Sequence, residues 1–267
     1  MPPIRTLTAL CLTAALAAPA ARADSPIPAP AASAPAELAG VPFGTMDFDW
    51  RDESRSRSVP VRLYLPDAAA AGKPVPLVVF SHGIGGSRMG YSYLGRYWAS
   101  QGYASLHLQH VGSDRNLWAG NPFGLVGRLR DAAQDKEAIA RVLDLHFALD
   151  QLLAGPLASR IDADRIVAAG HSYGANTTLL AAGAQVERAG QKLDFRDARI
   201  KAAIILSAPP FYGETDPAKV LAGITVPTLH VTATEDIIRI PGYYSGATDR
   251  VAVFDATGSA RKALAVF

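Results

Sequence analysis

The sequence predicts an α/β fold in which a mostly parallel central sheet carries helices on both faces. From residue 75 onward, short apolar runs typical of strands alternate with segments typical of helices. Such alternation indicates a parallel sheet whose crossover connections are helices. Val75–Phe80 is a continuous apolar run, as expected for a strand that is buried on both faces. The 267 residues, 49% of them hydrophobic and 19% charged, suffice for one large domain or two small ones.

The other elements can be placed in order along the chain. Two opening strands are expected at residues 45–52 and 59–65, before the alternating region begins. Tyr91–Gln101 has the pattern of a helix that stops at Gly102, a residue suited to a C-terminal cap. Apolar residues at helical spacing predict one long amphipathic helix over Asp131–Leu153. The remaining expected elements are a helix at 175–182 and strands at 104–109, 165–169, 202–206, 228–232 and 262–267.

Residues 1–23 have the order of a secretory signal peptide. Arg5 supplies the positive start, Leu7–Ala20 the apolar stretch, and Ala21–Ala23 the small-residue cleavage site. The apolar stretch is too short to form a transmembrane segment. We therefore expect cleavage near Asp24 and a secreted or periplasmic mature protein. The alternative is that this stretch is a first core helix.

The composition after the signal peptide narrows the possible partners and chemistry. Residues 24–40 are rich in Pro and Ala and predict a flexible lead-in, so that residues 41–267 form the domain. Without Arg5 and Arg22 the numbers of basic and acidic residues become equal, and no charged tract suggests a nucleic-acid partner. Cys11, the only cysteine, leaves with the signal peptide, which excludes a thiol nucleophile or cysteine metal ligand in the mature protein.

The segment Gly170–Gly174 reads G-H-S-Y-G and is the strongest functional motif in the chain. It follows the apolar run at 165–169 and precedes the small-residue run at 175–182. A G-x-S-x-G motif between a buried strand and a helix places the serine hydroxyl on a sharp, exposed turn. Ser172 is therefore the predicted nucleophile of an acyl transfer. The alternative is an ordinary strand–helix turn.

A serine nucleophile needs donors for the negative charge that develops on the substrate oxygen. The first predicted donor is the backbone N–H of Tyr173, at the positive end of the following helix. The second is expected in the glycine-rich loop Ser81–Ser87, where the N–H of Ile84 is favoured. A simple glycine turn is the alternative for this loop.

A carboxylate is also needed, to orient the base that activates the serine. Asp236 is favoured because it follows the predicted strand 228–232, and functional loops in open α/β sheets gather at the carboxyl ends of strands. Glu235 is the near alternative and Asp216 a more distant one. A solvated acid without a catalytic role remains possible for each of them.

With these residues in place, the chain resembles the α/β-hydrolases, in particular the secreted bacterial branch related to dienelactone hydrolases and platelet-activating-factor acetylhydrolases. The resemblance rests on four stretches in matching order: VVFSHGIGGSRMGYSYLGRYWASQGY, DKEAIARVLDLHFALDQL, RIDADRIVAAGHSYGA and VPTLHVTATED. It implies the α/β-hydrolase fold and a Ser–Asp–His ester hydrolase with no metal and no organic cofactor. Short-chain or phospholipid-type esters are the implied substrates. The nucleophile falls on Ser172, the acid on Asp236 and the oxyanion loop on residues 82–84.

The sequence departs from the family at the histidine, which the resemblance places in the loop after the last strand. The six histidines all precede Asp236 and are His82, His107, His110, His146, His171 and His230. We expect the 267 residues to be a C-terminally incomplete form that is nearly inactive. The alternative is a non-catalytic binding protein on a hydrolase scaffold. His82, in the oxyanion loop, is the best placed substitute base.

The segment Val111–Arg130 is long for a connection between elements of a compact domain. It contains Trp118, Phe123 and Leu125, which predict an apolar wall for an acyl chain. The alternative is that these side chains anchor the loop to the core.

Overall fold

The computed structural model describes residues 40–71, 73–239 and 243–267, so the predicted signal peptide and nearly all of the lead-in lie outside the described residues. Eight strands form the main sheet, in the order β1-β2-β4-β3-β5-β8-β9-β10. Their bounds are β1 Phe43–Asp52, β2 Arg57–Pro66, β3 Val75–Ser81, β4 Ala104–Leu108, β5 Ile161–His171, β8 Ile200–Leu206, β9 Thr228–Thr232 and β10 Lys262–Val266. A separate hairpin consists of β6 Gln185–Arg188 and β7 Gln191–Asp194.

The sheet is mostly parallel, as predicted. Strands β4, β3, β5, β8, β9 and β10 run parallel, while β1 pairs antiparallel with β2, and β2 antiparallel with β4. The apolar run of β3 is buried on both faces, because alternate side chains enter different core clusters. Leu77 and Val79 belong to the larger cluster, and Val78 and Phe80 to the smaller. This explains why the run is continuous rather than alternating.

Helices cover both faces of the sheet, which confirms the predicted fold class. Leu94 and Trp98 of α1 pack with Phe80 on one face, whereas Val142 of α3 and Leu179 of α4 join the cluster on the other. The helices are α1 Ser92–Ser100, α2 Leu125–Ala132, α3 Asp135–Ala154, α4 Tyr173–Ala182, α5 Pro217–Leu221 and α6 Ala247–Ala256. In the described part of the chain, no helix combines the length and the apolar character that crossing a membrane requires.

The prediction of one unbroken helix over Asp131–Leu153 was wrong. The chain leaves the helical conformation at Gln134, whose φ of −70° and ψ of 154° are extended, and this residue separates α2 from α3. The break places Asp135 and Glu137 in the first turn of α3, where negative charge is favoured by the helix dipole. The segment 111–130, which the sequence predicted to be a long loop, contains two short 3₁₀ helices and the start of α2.

Candidate active site

Ser172 lies at the sharp turn between β5 and α4, with φ 53° and ψ −120°. A residue with a Cβ atom rarely adopts positive φ, and such strain costs about 1–3 kcal/mol. The turn is held on both sides: the Ser172 N–H donates to the Leu206 carbonyl at 2.8 Å, and its carbonyl accepts from Ala175 N–H at 2.8 Å. The surrounding structure therefore fixes the serine in a conformation that it would not adopt alone.

The two motif glycines are required by close backbone approach. A Cβ atom on Gly170 would lie 2.1 Å from the Gly174 carbonyl oxygen, and one on Gly174 would lie 1.9 Å from the Ser81 carbonyl oxygen. Both distances are far below van der Waals contact. The spacing G-x-S-x-G thus allows β5, α4 and the end of β3 to meet around Ser172.

The loop that follows β3 runs directly beside Ser172. A Cβ atom on Gly83 would lie 3.3 Å from the Ser172 Cβ, so Ile84 is the next residue along this wall. Among the described residues, the amide N–H groups of Ile84 and Tyr173 donate to no backbone carbonyl or side chain. Tyr173 is the first residue of α4, and the first amides of a helix have no partner within it. Two unpaired donors beside a serine can stabilise an oxyanion.

A buried arginine joins the two sources of these donors. Arg141 of α3 is fully buried, and its Nη2 donates to the His82 carbonyl while its Nε donates to the Thr177 hydroxyl of α4 at 3.0 Å. Its Nη1 donates to the Ser113 hydroxyl at 2.7 Å, and the guanidinium lies 4.5 Å from the centre of the Tyr173 ring. Burial lowers the Arg141 pKa to about 10, which leaves it charged at neutral pH.

A second buried cluster fixes α3 against the sheet. Asp144 accepts from Arg57 Nε at 2.8 Å, from Arg55 Nη1 at 2.9 Å and pairs with His110 Nδ1 at 3.1 Å. Burial raises the pKa of Asp144, although the two arginines lower it in part. Removing one partner of such a cluster leaves a buried charge uncompensated, which is costly. Sequence reasoning identified neither Arg141 nor Asp144, because charged residues in an amphipathic helix usually face solvent.

Asp236 lies just after β9 and is held as a carboxylate. Its Oδ2 accepts from the Thr232 hydroxyl at 2.8 Å, and its Oδ1 lies 3.4 Å from Arg250 Nη2. Burial alone would raise the Asp236 pKa, but hydrogen bonds from Ser207 and Thr232 and the charge of Arg250 lower it below its ordinary value. The β8 strand connects this acid to Ser172, since the Leu206 carbonyl accepts from the Ser172 N–H and the next residue, Ser207, donates to Asp236.

The two alternative carboxylates have other surroundings. Glu235 is exposed to solvent. Asp216 caps α5, where its side chain accepts from Lys219 N–H at 3.1 Å. Of the three candidate carboxylates, Asp236 is therefore the one that is half-buried and hydrogen-bonded near the end of β8.

None of the six histidines is hydrogen-bonded to Ser172 in the described part of the chain. His82 uses both ring nitrogens, one against the Gly83 carbonyl at 2.6 Å and the other as acceptor from His110 N–H at 3.1 Å. His171 Nδ1 lies 2.6 Å from the Tyr91 hydroxyl. The ring of His110 lies between Asp144 and Ser81. The other three lie on β4 (His107), α3 (His146) and β9 (His230), and burial lowers the pKa of all six histidines. The best placed substitute, His82, therefore has no free nitrogen.

A cavity of about 130 Å³ opens beside Ser172 and is lined mainly by apolar side chains. Ile84 and Tyr173 border it together with Ser172. The predicted wall of loop aromatics was wrong: Trp118 and Phe123 are 56% and 96% exposed and do not line the cavity. The α2 and α3 helices supply this side of the cavity instead, through Leu129, Ala133, Ala138 and Ile139. Trp118 nevertheless contacts the oxyanion loop, because its Nε1 donates to the Gly85 carbonyl at 2.8 Å.

The described residues contain no group of three or more His, Cys, Asp or Glu side chains arranged to hold a metal ion. The chemistry that the site offers is that of a serine, two amide donors, a carboxylate and an apolar cavity.

Comparison with known proteins agrees with the fold. Residues 53–116 match the family described as platelet-activating factor acetylhydrolase, isoform II. A cold-adapted esterase from an Arctic intertidal metagenomic library superposes with a TM-score of 0.60 at 16% identity, over 87% of this chain and 86% of the other. Ferulic acid esterase from Streptomyces cinnamoneus gives 0.62 at 24% identity, over 88% and 75%. Dienelactone hydrolase from Anabaena variabilis gives 0.55 at 16% identity, over 84% and 86%. Comparison with curated protein sequences finds no match.

Proposed function

We propose that this chain, an α/β-hydrolase by fold, is a serine-dependent carboxylic-ester hydrolase that works through an acyl-enzyme. One observation carries the proposal: a strained Ser172 stands beside two amide N–H groups, those of Ile84 and Tyr173, that have no partner among the described residues. A purely structural turn has no need of strain or of unpaired amides at the mouth of an apolar cavity. The similar esterases and hydrolases support the same class of reaction.

In this mechanism the Ser172 oxygen attacks the ester carbonyl carbon, and its proton passes to a base. The carbonyl oxygen becomes negative and is stabilised by the Ile84 and Tyr173 amides and by the N-terminus of α4. The base returns this proton to the alcohol oxygen as the ester C–O bond breaks and the alcohol leaves. It then takes a proton from the water that attacks the acyl-enzyme, and returns it to the Ser172 oxygen as the acid is released. Asp236, ionised because its pKa is lowered, orients the base and stabilises its protonated form.

The base is the component that the six histidines do not supply in the described arrangement. Phe267 extends β10, and its carbonyl accepts from Thr234 N–H at 2.7 Å, beside the turn that carries Asp236. A residue that continues the chain from this point would therefore pass close to Asp236. We propose that a histidine beyond residue 267 completes the site, in agreement with the family resemblance.

The test compares the 267-residue chain with a form that includes the residues encoded downstream, using 4-nitrophenyl butyrate as substrate. The longer form should hydrolyse the ester, and Ser172→Ala should lower its kcat by on the order of 10⁶. The control Ser159→Ala, at an exposed site, should have no effect. The 267-residue form should retain only about 10³–10⁴ over water, and added imidazole should raise this rate.

Three results would contradict the proposal. Equal rates for the longer form and its Ser172→Ala variant would remove Ser172 from the reaction. A full rate for the 267-residue form would place the base among the existing side chains. The absence of any rate above that of water, in every form, would favour the non-catalytic binding protein.

We also propose that the protein is exported and that residues 1–23 are removed. The support is the sequence pattern of a positive start, an apolar stretch and an A-x-A site. Intact-mass measurement of protein recovered from periplasm and medium should give a chain that begins near Asp24. Recovery of the unprocessed chain from the cytoplasm alone would contradict export.

A further inference from the structure

The β6–β7 hairpin follows α4 in the chain and turns one face toward the cavity beside Ser172. Its strands pair antiparallel, with Val186 opposite Leu193. Side chains alternate between the two faces of a strand, and Val186, Arg188 and Leu193 all line the cavity. Glu187 and Lys192, which are opposite each other on the intervening positions, are exposed. The hairpin therefore contributes two apolar side chains and one arginine to the cavity.

Arg188 clamps this hairpin to two other parts of the fold. Its Nε donates to Asp135 Oδ2 at 2.6 Å, at the start of α3, and its Nη1 donates to the Glu214 carboxylate. The hydrogen bond to Asp135 raises the Arg188 pKa, and Glu214 acts in the same direction. Two carboxylates thus surround one guanidinium, which gives this part of the rim a net negative charge.

We propose that the clamped hairpin selects the acyl group that Ser172 accepts: an uncharged, apolar group whose length is limited by Val186 and Leu193. This inference rests on the proposed ester hydrolysis, and names the substrate class of the same site. It excludes acyl groups that end in a carboxylate, such as those of dicarboxylic half-esters.

The two parts of the selection have separate physical causes. The facing pair Val186 and Leu193 offers only apolar contact, which favours a hydrocarbon and resists an ionised group that would lose its hydration. Arg188 would be the natural partner of an acyl carboxylate, but its Nε and Nη1 already bond Asp135 and Glu214, which more than neutralise its charge. A third carboxylate at this rim would be repelled by the excess negative charge.

The size limit is tested with 4-nitrophenyl acetate, butyrate and octanoate. Because the base acts on all three esters alike, the ratio of their kcat/KM values reports the acyl pocket. Val186→Phe should lower the octanoate-to-acetate ratio on the order of tenfold, and Leu193→Ala should raise it. Lys192→Ala, on the outer face of the same hairpin, should leave the ratio unchanged. Equal ratios in Val186→Phe, Leu193→Ala and Lys192→Ala would overturn the inference.

The charge limit is tested by freeing Arg188. The double variant Asp135→Asn with Glu214→Gln should raise kcat/KM for the 4-nitrophenyl half-ester of succinic acid, relative to butyrate, by about fivefold. Glu187→Gln removes one negative charge from the outer face and serves as the control. An unchanged succinate-to-butyrate ratio in the double variant would overturn the charge part of the proposal.

A binding experiment separates failure of this inference from failure of the proposed function. Calorimetric titration of the Ser172→Ala protein with 4-nitrophenyl octanoate needs no catalysis. Suppose that Val186→Phe weakens binding of the ester to the Ser172→Ala protein, while no form of the protein hydrolyses any ester. The hairpin would then line a binding pocket for the acyl group, and the proposed hydrolase activity would be refuted. Suppose instead that the protein hydrolyses esters, but the hairpin variants change neither octanoate-ester binding nor the octanoate-to-acetate ratio. The hydrolase proposal would then stand, and the proposal that the hairpin selects the acyl group would be refuted.

Discussion

Replacing Ser172 with glycine should give a more stable protein than replacing it with alanine, and either change removes the proposed nucleophile. At φ 53° and ψ −120°, a residue with a Cβ atom carries a strain of about 1–3 kcal/mol. Glycine escapes that strain, but its more flexible unfolded chain costs about 0.4–1 kcal/mol relative to alanine. The balance predicts that Ser172→Gly unfolds with a free energy about 1 kcal/mol higher than that of Ser172→Ala. For a domain of this size, that difference is about 2–4 °C in Tm.

The comparison needs a site where backbone strain is absent. Ser159 is exposed in a short 3₁₀ helix and is not among the residues with positive φ. There, Ser159→Gly should be less stable than Ser159→Ala by about 0.5–1 kcal/mol. Thermal and urea unfolding followed by circular dichroism would measure all four variants. If the glycine variant is less stable than the alanine variant at both positions, the turn at Ser172 is unstrained, and the proposal that the fold holds this serine in a strained conformation is wrong.

Two further predictions concern ionisable groups. Asp236→Asn should lower kcat in the complete enzyme by about 10⁴, since the base loses its orienting carboxylate. In the parent enzyme, the fall in rate that accompanies protonation of Asp236 should have its midpoint below the ordinary carboxyl pKa of 3.8, because the Asp236 pKa is lowered. His230 has a pKa lowered to about 4 by burial and by Lys262, so the unfolded chain takes up its proton first as the pH falls from 6.5 to 4. In the parent protein the free energy of unfolding should therefore fall as the pH is lowered from 6.5 to 4, and His230→Leu should make this fall smaller by up to about 1.4 kcal/mol per pH unit. Urea unfolding across this pH range measures it. If His230→Leu leaves the pH dependence unchanged, His230 titrates normally.

Local patterns were sufficient where the structure is set by neighbouring residues. The continuous apolar run of β3 predicted a central strand, and it lies between β4 and β5. The G-x-S-x-G spacing predicted a strand, a turn and a helix around Ser172, because only glycine fits the close approach of β5, α4 and β3. In both cases the physical cause is contained in a few consecutive residues.

Local patterns failed where distant contacts decide. The helix predicted over Asp131–Leu153 includes Gln134, where the structure has the break between α2 and α3. What favours the break is the docking of the first turn of α3, where Glu137 pairs with Arg57 of β2 at 3.0 Å. The β6–β7 hairpin was missed for a different reason. Its turn uses Ala189 and Gly190, both with positive φ, instead of the Asn-Gly pair that signals such a turn in a sequence.

The candidate oxyanion hole depends partly on local sequence patterns and partly on distant contacts. The motif and the glycine loop predict where Tyr173 and Ile84 lie along the chain, but the relative position of their amides depends on Arg141. This side chain bonds the carbonyl of His82, at the start of the loop, and the hydroxyl of Thr177, one turn into α4. A single buried cation in α3 therefore fixes both sources of the donors. Since α3 contains no residue of either motif, the arrangement proposed for Ser172 and its two amide donors depends on an element that the motifs do not include.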